Sequence, residues 1–310
     1  MPTPRANETQ QDFLTRCMLD TEARTDFPDT DQRLAFCYSQ YESNKSVKKL
    51  NKNIVDRWRD DYDKQLSIAE RKLLPKVTSA YFKEYSKGVQ TYIDTGNINY
   101  QNVFNIDMFQ KIYKDIYNEV CMRFAVWYFR NSEKYQEKKS PKQYTRTWQA
   151  AFSYYASQVA AQNVTLVSGT AKKSLMQVIQ KLYRDPDFVI LGAEERARIL
   201  QSKFKSYSKY QALRLVRTES LRGASYGVEQ SALQVYAGRK MKKQWVTFFD
   251  SKTREWHQNA HNQIVDFDKP FLVGGEQMMR PGEGSGMNVI NCRCSMIPFP
   301  EDVESTLPFQ

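Results

Sequence analysis

Histidine is scarce in this sequence, which has only His257 and His261 among its 310 residues. Catalytic Ser/His/Asp and Cys/His sites need a histidine base beside a nucleophile. The sequence also lacks a GxSxG nucleophile elbow, a P-loop and a GxGxxG motif after a strand. These absences argue against an enzyme of these classes, and we predict no catalytic residue.

Long apolar runs are absent too. No stretch approaches the roughly 18 apolar residues of a membrane helix. The polar N-terminal sequence MPTPRANETQQDF has no signal-peptide core. We therefore expect no membrane partner, and a protein that is made in a cytosol and is used there or packaged from it.

The number of cysteines, five, is ordinary for this length and is odd. Because a cytosol is reducing, we do not expect a disulfide framework. Cys17, Cys37 and Cys121 lie in helix-like sequence, and we interpret them as buried small apolar groups. Pairing or metal binding by Cys17 and Cys37 is the less favoured alternative, because no histidine or third cysteine is near them in sequence.

Positive charge is abundant: 46 lysines and arginines oppose 35 acidic residues, which gives a net charge of +11. This charge suits an anionic partner such as nucleic acid, a membrane surface or an acidic protein. A solvated, lysine-rich surface explains it equally well. No basic tail concentrates the charge, so both interpretations stay open.

Residues 10–162 carry apolar side chains at helical spacing and predict an all-α bundle suited to assembly, preceded by a disordered tail at 1–9. We expect a helix pair over 10–41, joined by a turn with N-cap residues. Over about 103–133 an aromatic stripe repeats every three to four residues for five turns. Such a face is more often core than a surface that stacks bases.

Helix breaks are predicted at three places in this bundle. Pro75 fits the first turn of a new helix. Ser140-Pro141 interrupts the apolar pattern, and the weakest join lies near 161–163. The join near 161–163 is the expected end of the helical region.

Residues 163–300 predict further helices followed by short β-strands, which is an α+β domain with a short antiparallel sheet, and a tail follows at 301–310. The fold class is therefore a mainly α N-terminal region followed by a smaller α+β domain. The expected N-cap residues of two of its helices are Ser168 or Thr170 and Ser206 or Ser208.

Glycines are informative at two places in this domain. Gly223 and Gly227 lie on one face of a long helix where the side chains are small, which we call the small face. Glycine inside a helix costs about 1 kcal/mol relative to alanine. We therefore expect another backbone to pack very close there. The glycine-rich stretch 282–286 is similar to a phosphate cradle, but no helix clearly follows it, and we interpret it as a loop.

Arg217 and Glu219 are two residues apart on this helix and do not face each other. Glu219 can reach Arg222 at i+3, and such a pair is ordinarily exposed and worth a few tenths of a kcal/mol, on the order of 0.2–0.5. The small face leaves a second reading, in which Arg217 or Glu219 joins a buried polar network with the β part.

His257, His261, Cys292 and Cys294 are all residue types that bind metals. We expect the histidines to share a helix face and the cysteines to lie on one side of a final strand over 289–298, which would complete a tetrahedral zinc site. The spacing matches no strong zinc rule, since Cys-x-Cys is tighter than Cys-x2-Cys and Gln258 breaks the HExxH pattern. The favoured interpretation is that no cofactor is bound.

The ordered motifs of the last third resemble the phage Mu F-like minor head (head morphogenesis) family. The resemblance covers about residues 165–297, and its specificity lies in the order of the motifs. The motif residues are Arg217-Thr218-Glu219, Trp245, Asp250, Thr253-Arg254, His257, Phe271, Gly274-Gly275, Pro281-Gly282 and Asn291-Cys292-Arg293-Cys294.

The resemblance implies a minor structural protein of a tailed-phage head, made in the host cytoplasm and located in the virion, at the head interior or the portal vertex. It implies association with the portal protein and with major capsid or scaffold proteins, and a role in head morphogenesis and DNA packaging or ejection. Contact with packaged double-stranded DNA agrees with the charge. The motif side chains are expected to form a polar network of Arg217, Glu219, Asp250, Arg254 and His257.

The chain departs from the family pattern after His257. Members usually place Asp-Gly or Asn-Gly where this chain has His261-Asn262. Asparagine accepts a positive φ better than most residues, so we expect the turn to survive. Some members have Cys-x2-Cys where this chain has Arg254 and His257, and that variant looks like a metal site.

A different class of function stays open beside the structural one. In this alternative, the protein binds DNA or is a metal-dependent nuclease-like effector carried in the virion. A steep loss of DNA binding with rising salt would support direct DNA contact.

Overall fold

The computed structural model describes residues 2–3, 8–45, 52–99, 101–132 and 140–301. They form long α-helices followed by short antiparallel strands, which confirms the predicted fold class. The predicted tails at 1–9 and 301–310 fall mostly outside these residues. No helix in the described part of the chain is long and apolar enough to cross a membrane.

The helices and strands are numbered separately in chain order. The helices are α1 (Gln10–Leu19), α2 (Thr21–Asp26), α3 (Thr30–Lys45), α4 (Lys52–Thr95), α5 (Ile106–Asn131), α6 (Thr145–Leu182), α7 (Pro186–Val189), α8 (Ala193–Val235), α9 (Glu255–Asn259) and α10 (Gly286–Val289). The strands are β1 (Met241–Val246), β2 (Ile264–Asp266), β3 (Phe271–Val273), β4 (Glu276–Met278) and β5 (Ser295–Pro300).

The chain divides into two compact units, each assembled from segments distant in sequence. The first unit comprises Met1–Arg59, Tyr236–Arg280 and Cys294–Gln310, and the second comprises Asp60–Val235 and Pro281–Arg293. The predicted domains, 10–162 and 163–300, follow chain order instead and stay a prediction.

The N-terminal helices of the first unit enclose a small core. Thr9 caps α1 and Asp20 caps α2, each by accepting a backbone N–H. The predicted helix pair is α1 and α3, with the short α2 between them. The core residues are Phe13, Leu14, Cys17, Cys37 and Tyr41.

Cys17 and Cys37 form a disulfide, so the prediction of two free thiols is wrong. Packing of α1 against α3 brings their Cα atoms to 5.9 Å, which is within the range a disulfide bridges. Cys121, Cys292 and Cys294 are buried and are not part of a disulfide in the described residues. The two cysteines are 20 residues apart in sequence, and sequence spacing alone carries no information on this packing.

The first unit also contains the β-sheets. The larger sheet has the strand order β2-β1-β5, with antiparallel pairs such as Lys243 opposite Val265 and Trp245 opposite Met296. Strands β3 and β4 form a separate hairpin. Its turn, Gly274-Gly275, has φ of +57° and +78°, which glycine adopts without steric cost.

Long helices form the second unit, with α5 packed against both α6 and α8. The predicted helix over about 103–133 is confirmed as α5, which Asn105 caps by accepting the Met108 amide at 2.8 Å. Its aromatic face is core rather than an exposed surface. The buried rings on α5 include Phe109, Tyr113, Tyr117, Phe124 and Trp127.

Several predicted helix breaks are wrong. Pro75 lies inside α4, although a proline there removes one backbone hydrogen bond. α6 continues through 161–163, and α8 continues through 206–208. Apolar side chains on both sides of each join are buried, Leu73 and Val77 beside Pro75 among them, and burial along one face outweighs local helix-breaking preferences.

The predicted caps and the final strand also need correction. Ser168 lies within α6, where its hydroxyl donates to the Phe104 carbonyl instead of capping a helix. Strand β5 starts at Ser295, so Cys292 and Cys294 precede the strand. Asn291, with φ of +57°, interrupts extended backbone there. Contrary to expectation, a helix does follow the glycine-rich loop, but α10 has only four residues.

Candidate functional site

A buried carboxylate–guanidinium pair lies in the middle of α8. Arg222 Nη1 donates to both carboxylate oxygens of Glu219, at 3.1 and 2.9 Å. Tyr117 on α5 donates its hydroxyl to Glu219 Oε2 at 2.6 Å, and Arg222 Nε donates to the Gly282 carbonyl at 2.7 Å. Glu219 is only 4% exposed. The i+3 pair is therefore a buried network whose partners are α5 and the glycine-rich loop.

Burial fixes the protonation of this network. Burial raises the pKa of Tyr117, and the Glu219 carboxylate raises it further, so the phenol keeps its proton. For Arg222, burial alone would lower the pKa, but Glu219 and Tyr117 raise it by more. Neither group changes protonation near neutral pH. General acid–base catalysis needs a pKa near the working pH, so the arrangement suits a positioning role.

Gly227 confirms the predicted close approach of another backbone to α8. A Cβ at Gly227 would lie 2.4 Å from the Cys121 carbonyl oxygen on α5. At Gly223, one turn earlier, a Cβ would lie 3.4 Å from Cys121 Sγ. The small face of α8 therefore lets α5 approach and places Tyr117 within reach of Glu219.

Two motif arginines contact acidic residues of α4. Arg293 pairs with Asp63, and Arg217 Nε lies 3.9 Å from Glu70 Oε2. Burial raises the pKa of Glu70, while Arg293 and Arg217 oppose that rise. Arg217 and Arg293 are 76 positions apart in sequence, yet both contact acidic side chains of α4.

His257 is a buried residue of α9 in the first unit, with 2% of its surface exposed. Its Nδ1 lies 3.3 Å from Cys294 Sγ. The Thr247 hydroxyl donates to the His257 carbonyl at 2.5 Å, and the Trp245 ring meets the imidazole edge-on at 5.9 Å between centroids. These contacts fix the position of the imidazole beside the sulfur.

His257 and Cys294 are the two predicted zinc ligands that lie side by side in the first unit, whereas Cys292 belongs to the second unit. Tetrahedral zinc with bonds of about 2.0–2.3 Å places its ligands about 3.3–3.8 Å apart. The His257–Cys294 distance fits either a shared ion or a direct hydrogen bond. A structural zinc site has four ligands, and this pair supplies two.

His261, the fourth predicted ligand, is positioned differently from the prediction. Helix α9 ends at Asn259, so His261 does not share a helix face with His257. Its Nδ1 accepts the Thr247 amide at 3.1 Å, and its ring meets Phe249 edge-on. Asn262 has φ of +66°, which confirms that asparagine supports the turn.

Asp250 and Arg254 shape the turn before α9. The Asp250 carboxylate accepts the Lys252 amide at 2.8 Å and the Thr253 hydroxyl at 2.9 Å. Arg254 is the residue immediately before α9. Of the five residues predicted to form a polar network, these two and His257 lie in the first unit, whereas Arg217 and Glu219 lie in the second. Their action as one network stays a prediction.

Sequence reasoning missed the partners that come from outside the motif region. Asp63 and Glu70 belong to a helix with many charges of both signs, and Tyr117 is one of many aromatic residues on α5. Nothing in local sequence distinguishes these residues from their neighbours. The small residues beside Glu219 on its helix were the available signal, because they allow burial of Glu219, and a buried charge pair needs further hydrogen bonds.

The family model described as Phage Mu protein F like protein matches residues 162–297. This segment is Phage Mu F-like. The match confirms the family resemblance of the motifs and indicates a phage head protein. The Mu F-like segment is less than half of the chain. Helices α4 and α5 lie outside it, and their side chains contact Arg217 and Glu219 of the segment.

One curated protein is similar to part of the chain. It is the NAD(+)--arginine ADP-ribosyltransferase EFV of Enterococcus faecalis, 31% identical over 99 residues. The alignment covers 31% of this chain and 20% of that protein. The chain thus spans about a fifth of that relative's length, and the similarity assigns no activity here. No solved structure matches the chain.

Proposed function

We propose that the protein is a minor structural component of a tailed-phage head, located at the portal vertex or head interior. In this proposal it acts in head morphogenesis and in DNA packaging or ejection. The observation that carries the proposal is the family match over residues 162–297, which contains the motif series from Arg217 to Cys294.

The proposed role is structural rather than catalytic. Glu219 and Arg222 of the Mu F-like segment are paired with each other and held by Tyr117 and Gly282. Such pairing fixes α8 against α5 and the glycine-rich loop, and this supports a rigid structural role in assembly. The proposed partners are the portal protein and the major capsid or scaffold proteins.

Virion composition tests this proposal. Mass spectrometry of purified virions of the encoding phage is expected to detect the chain, and co-expression with the portal protein is expected to give a stable complex. Gly227→Leu, which disrupts the contact with α5, should be lost from virions, whereas Gly169→Ala should be packaged normally because nothing lies within 4 Å of its added Cβ. Absence from virions together with no portal complex would overturn the proposal.

Contact with packaged DNA is a separate part of the proposal, supported by the net charge of +11. Binding through phosphates weakens steeply with salt, so affinity should fall by orders of magnitude between about 50 and 200 mM salt. Filter binding of linear double-stranded DNA measures this slope. If no DNA is retained at about 50 mM salt, this part fails and the portal proposal is unaffected.

We further propose that the protein needs no cofactor. Exhaustive EDTA dialysis should leave its melting temperature unchanged, and metal analysis of the untreated protein should find no zinc. A melting temperature that falls with EDTA and recovers with zinc, but not with magnesium, would instead support a bound zinc ion.

A further inference from the structure

A cavity of about 300 Å³ lies inside the second unit. Its wall is formed by residues of α4, α5, α6 and α8 and of the segment around α10. This volume is at the lower end of the range for pockets that hold small organic molecules, roughly 300–1,000 Å³. The lining residues that carry charge or hydrogen-bonding groups include Tyr113, Gln211, Arg214, Glu219 and Arg222.

The glycine-rich loop fixes one edge of this cavity. Gly282 and Gly284 have φ of +95° and +98°, and a Cβ on Gly282 would lie 2.8 Å from the Arg222 Cα. The Arg222 guanidinium donates to the Gly282 carbonyl at 2.7 Å. The loop is therefore held against α8, and the cavity is formed before any ligand arrives.

One buried polar group in the lining has no hydrogen-bond partner. Tyr113 is fully buried, and its hydroxyl makes no hydrogen bond to the residues that the structure describes. Buried polar groups in folded proteins are nearly always satisfied, so this hydroxyl indicates a place for a polar ligand group. Gln211 and the half-buried Arg214 line the same cavity and add further hydrogen-bonding groups.

The sign of charge in the cavity selects the ligand. Glu219 neutralises Arg222 through two hydrogen bonds, which leaves the Arg214 guanidinium as an excess positive charge. Burial raises the pKa of Tyr113, and the Glu219 carboxylate raises it further, so its hydroxyl stays a donor. The Arg214 guanidinium and the Tyr113 phenol are both hydrogen-bond donors, and a negatively charged acceptor suits them best.

We propose that this cavity binds a small organic anion, a carboxylate or phosphate ester on an apolar body. The anionic group lies at Arg214, and the apolar body packs against lining residues such as Tyr81, Leu215 and Ile290. The proposal stands independently of the role in the phage head, because it rests on the cavity alone.

Isothermal titration calorimetry of the full-length protein at low salt tests the proposal. The probes are benzoate and phenyl phosphate, with benzyl alcohol as the uncharged analogue and inorganic phosphate as the analogue without an apolar body. We expect saturable one-to-one binding of at least one of the two aromatic anions. Binding of benzoate alone identifies a carboxylate ligand, and binding of phenyl phosphate alone identifies a phosphate ester. Benzyl alcohol and inorganic phosphate should bind about tenfold more weakly or worse.

Two variants locate the binding in the cavity. Arg214→Gln should weaken binding about tenfold or more, and Tyr113→Phe should weaken it without lowering the melting temperature. Arg198→Gln is the matched control on the same helix, because Arg198 is exposed and pairs with Glu195 at 2.7 Å. No saturable binding of either aromatic anion, or equal binding by Arg214→Gln and the unmodified protein, would overturn the proposal.

Discussion

Tyr113 and Tyr117 lie one turn apart on α5 with their rings stacked at 6.3 Å, yet only Tyr117 has a hydrogen-bond partner. Its hydroxyl donates to Glu219 at 2.6 Å, while the buried Tyr113 hydroxyl has no partner in the described parts of the chain. The two tyrosines therefore provide a matched pair of positions. Removing the hydroxyl is costly at one of them and almost free at the other.

Tyr117→Phe should destabilise the protein by about 1–3 kcal/mol, because it leaves a buried carboxylate short of one donor. Tyr113→Phe should change stability by no more than about 0.5 kcal/mol, since its hydroxyl has no partner at hydrogen-bonding geometry among the described residues. Urea unfolding followed by circular dichroism measures both. Equal losses in the two variants would contradict the proposed importance of the Tyr117–Glu219 bond.

Gly227→Ala should destabilise the protein by about 1–3 kcal/mol, as expected for overpacking. The added Cβ would lie 2.4 Å from the Cys121 carbonyl oxygen, so α5 and α8 must separate. Thermal unfolding measures the effect. Gly169→Ala, in helix α6 with open space around its Cβ, should instead stabilise by about 0.5–1 kcal/mol. A neutral Gly227→Ala would show that the two helices are not held at this distance.

Reduction of the Cys17–Cys37 disulfide should lower the stability of the N-terminal helices. The bond spans 20 residues, and closing a loop of this length contributes about 3 kcal/mol. Thermal unfolding with and without a thiol reductant measures the loss, which the double variant Cys17→Ser/Cys37→Ser should reproduce without reductant.

Counting thiols provides an independent check on this disulfide. Alkylation of denatured protein purified in air should label three cysteines, namely Cys121, Cys292 and Cys294, and all five only after reduction. Five labels before reduction would show that Cys17 and Cys37 are free.

Features that depend on local chain geometry could be predicted from the sequence. The apolar spacing of α5 predicted its length to within a few residues, because amphipathic periodicity reflects one buried face. Gly227 predicted a close backbone contact, and Asn262 predicted a turn with positive φ, since each residue type is favoured by a specific steric requirement.

Features that depend on tertiary contacts could not be predicted. Tyr117 and Glu219 are 102 residues apart, and neither residue differs in local sequence from others on its helix. The same limit applies to Pro75, whose helix-breaking tendency is outweighed by packing on either side of it. It also applies to Cys17, whose partner is determined by how α1 packs on α3.

Acidification should weaken the first unit through His261. Burial lowers the pKa of His261, nearby Arg59 lowers it further, and Asp56 opposes both. The neutral ring is required because its Nδ1 accepts the Thr247 amide at 3.1 Å. Since the folded pKa lies below the unfolded value near 6.5, this contribution is fully present above about pH 6.5. It is lost as the pH falls from there through the folded pKa.

His261→Asn tests this pH dependence, because an asparagine side-chain oxygen can accept the same amide but does not titrate. The melting temperature of the unmodified protein should fall more steeply between about pH 7 and pH 5 than that of His261→Asn. The two should agree best above the unfolded pKa, where the imidazole is neutral in both states. Parallel curves over the whole range would show that another group carries the acid sensitivity, and that the Thr247 amide does not depend on the protonation of His261.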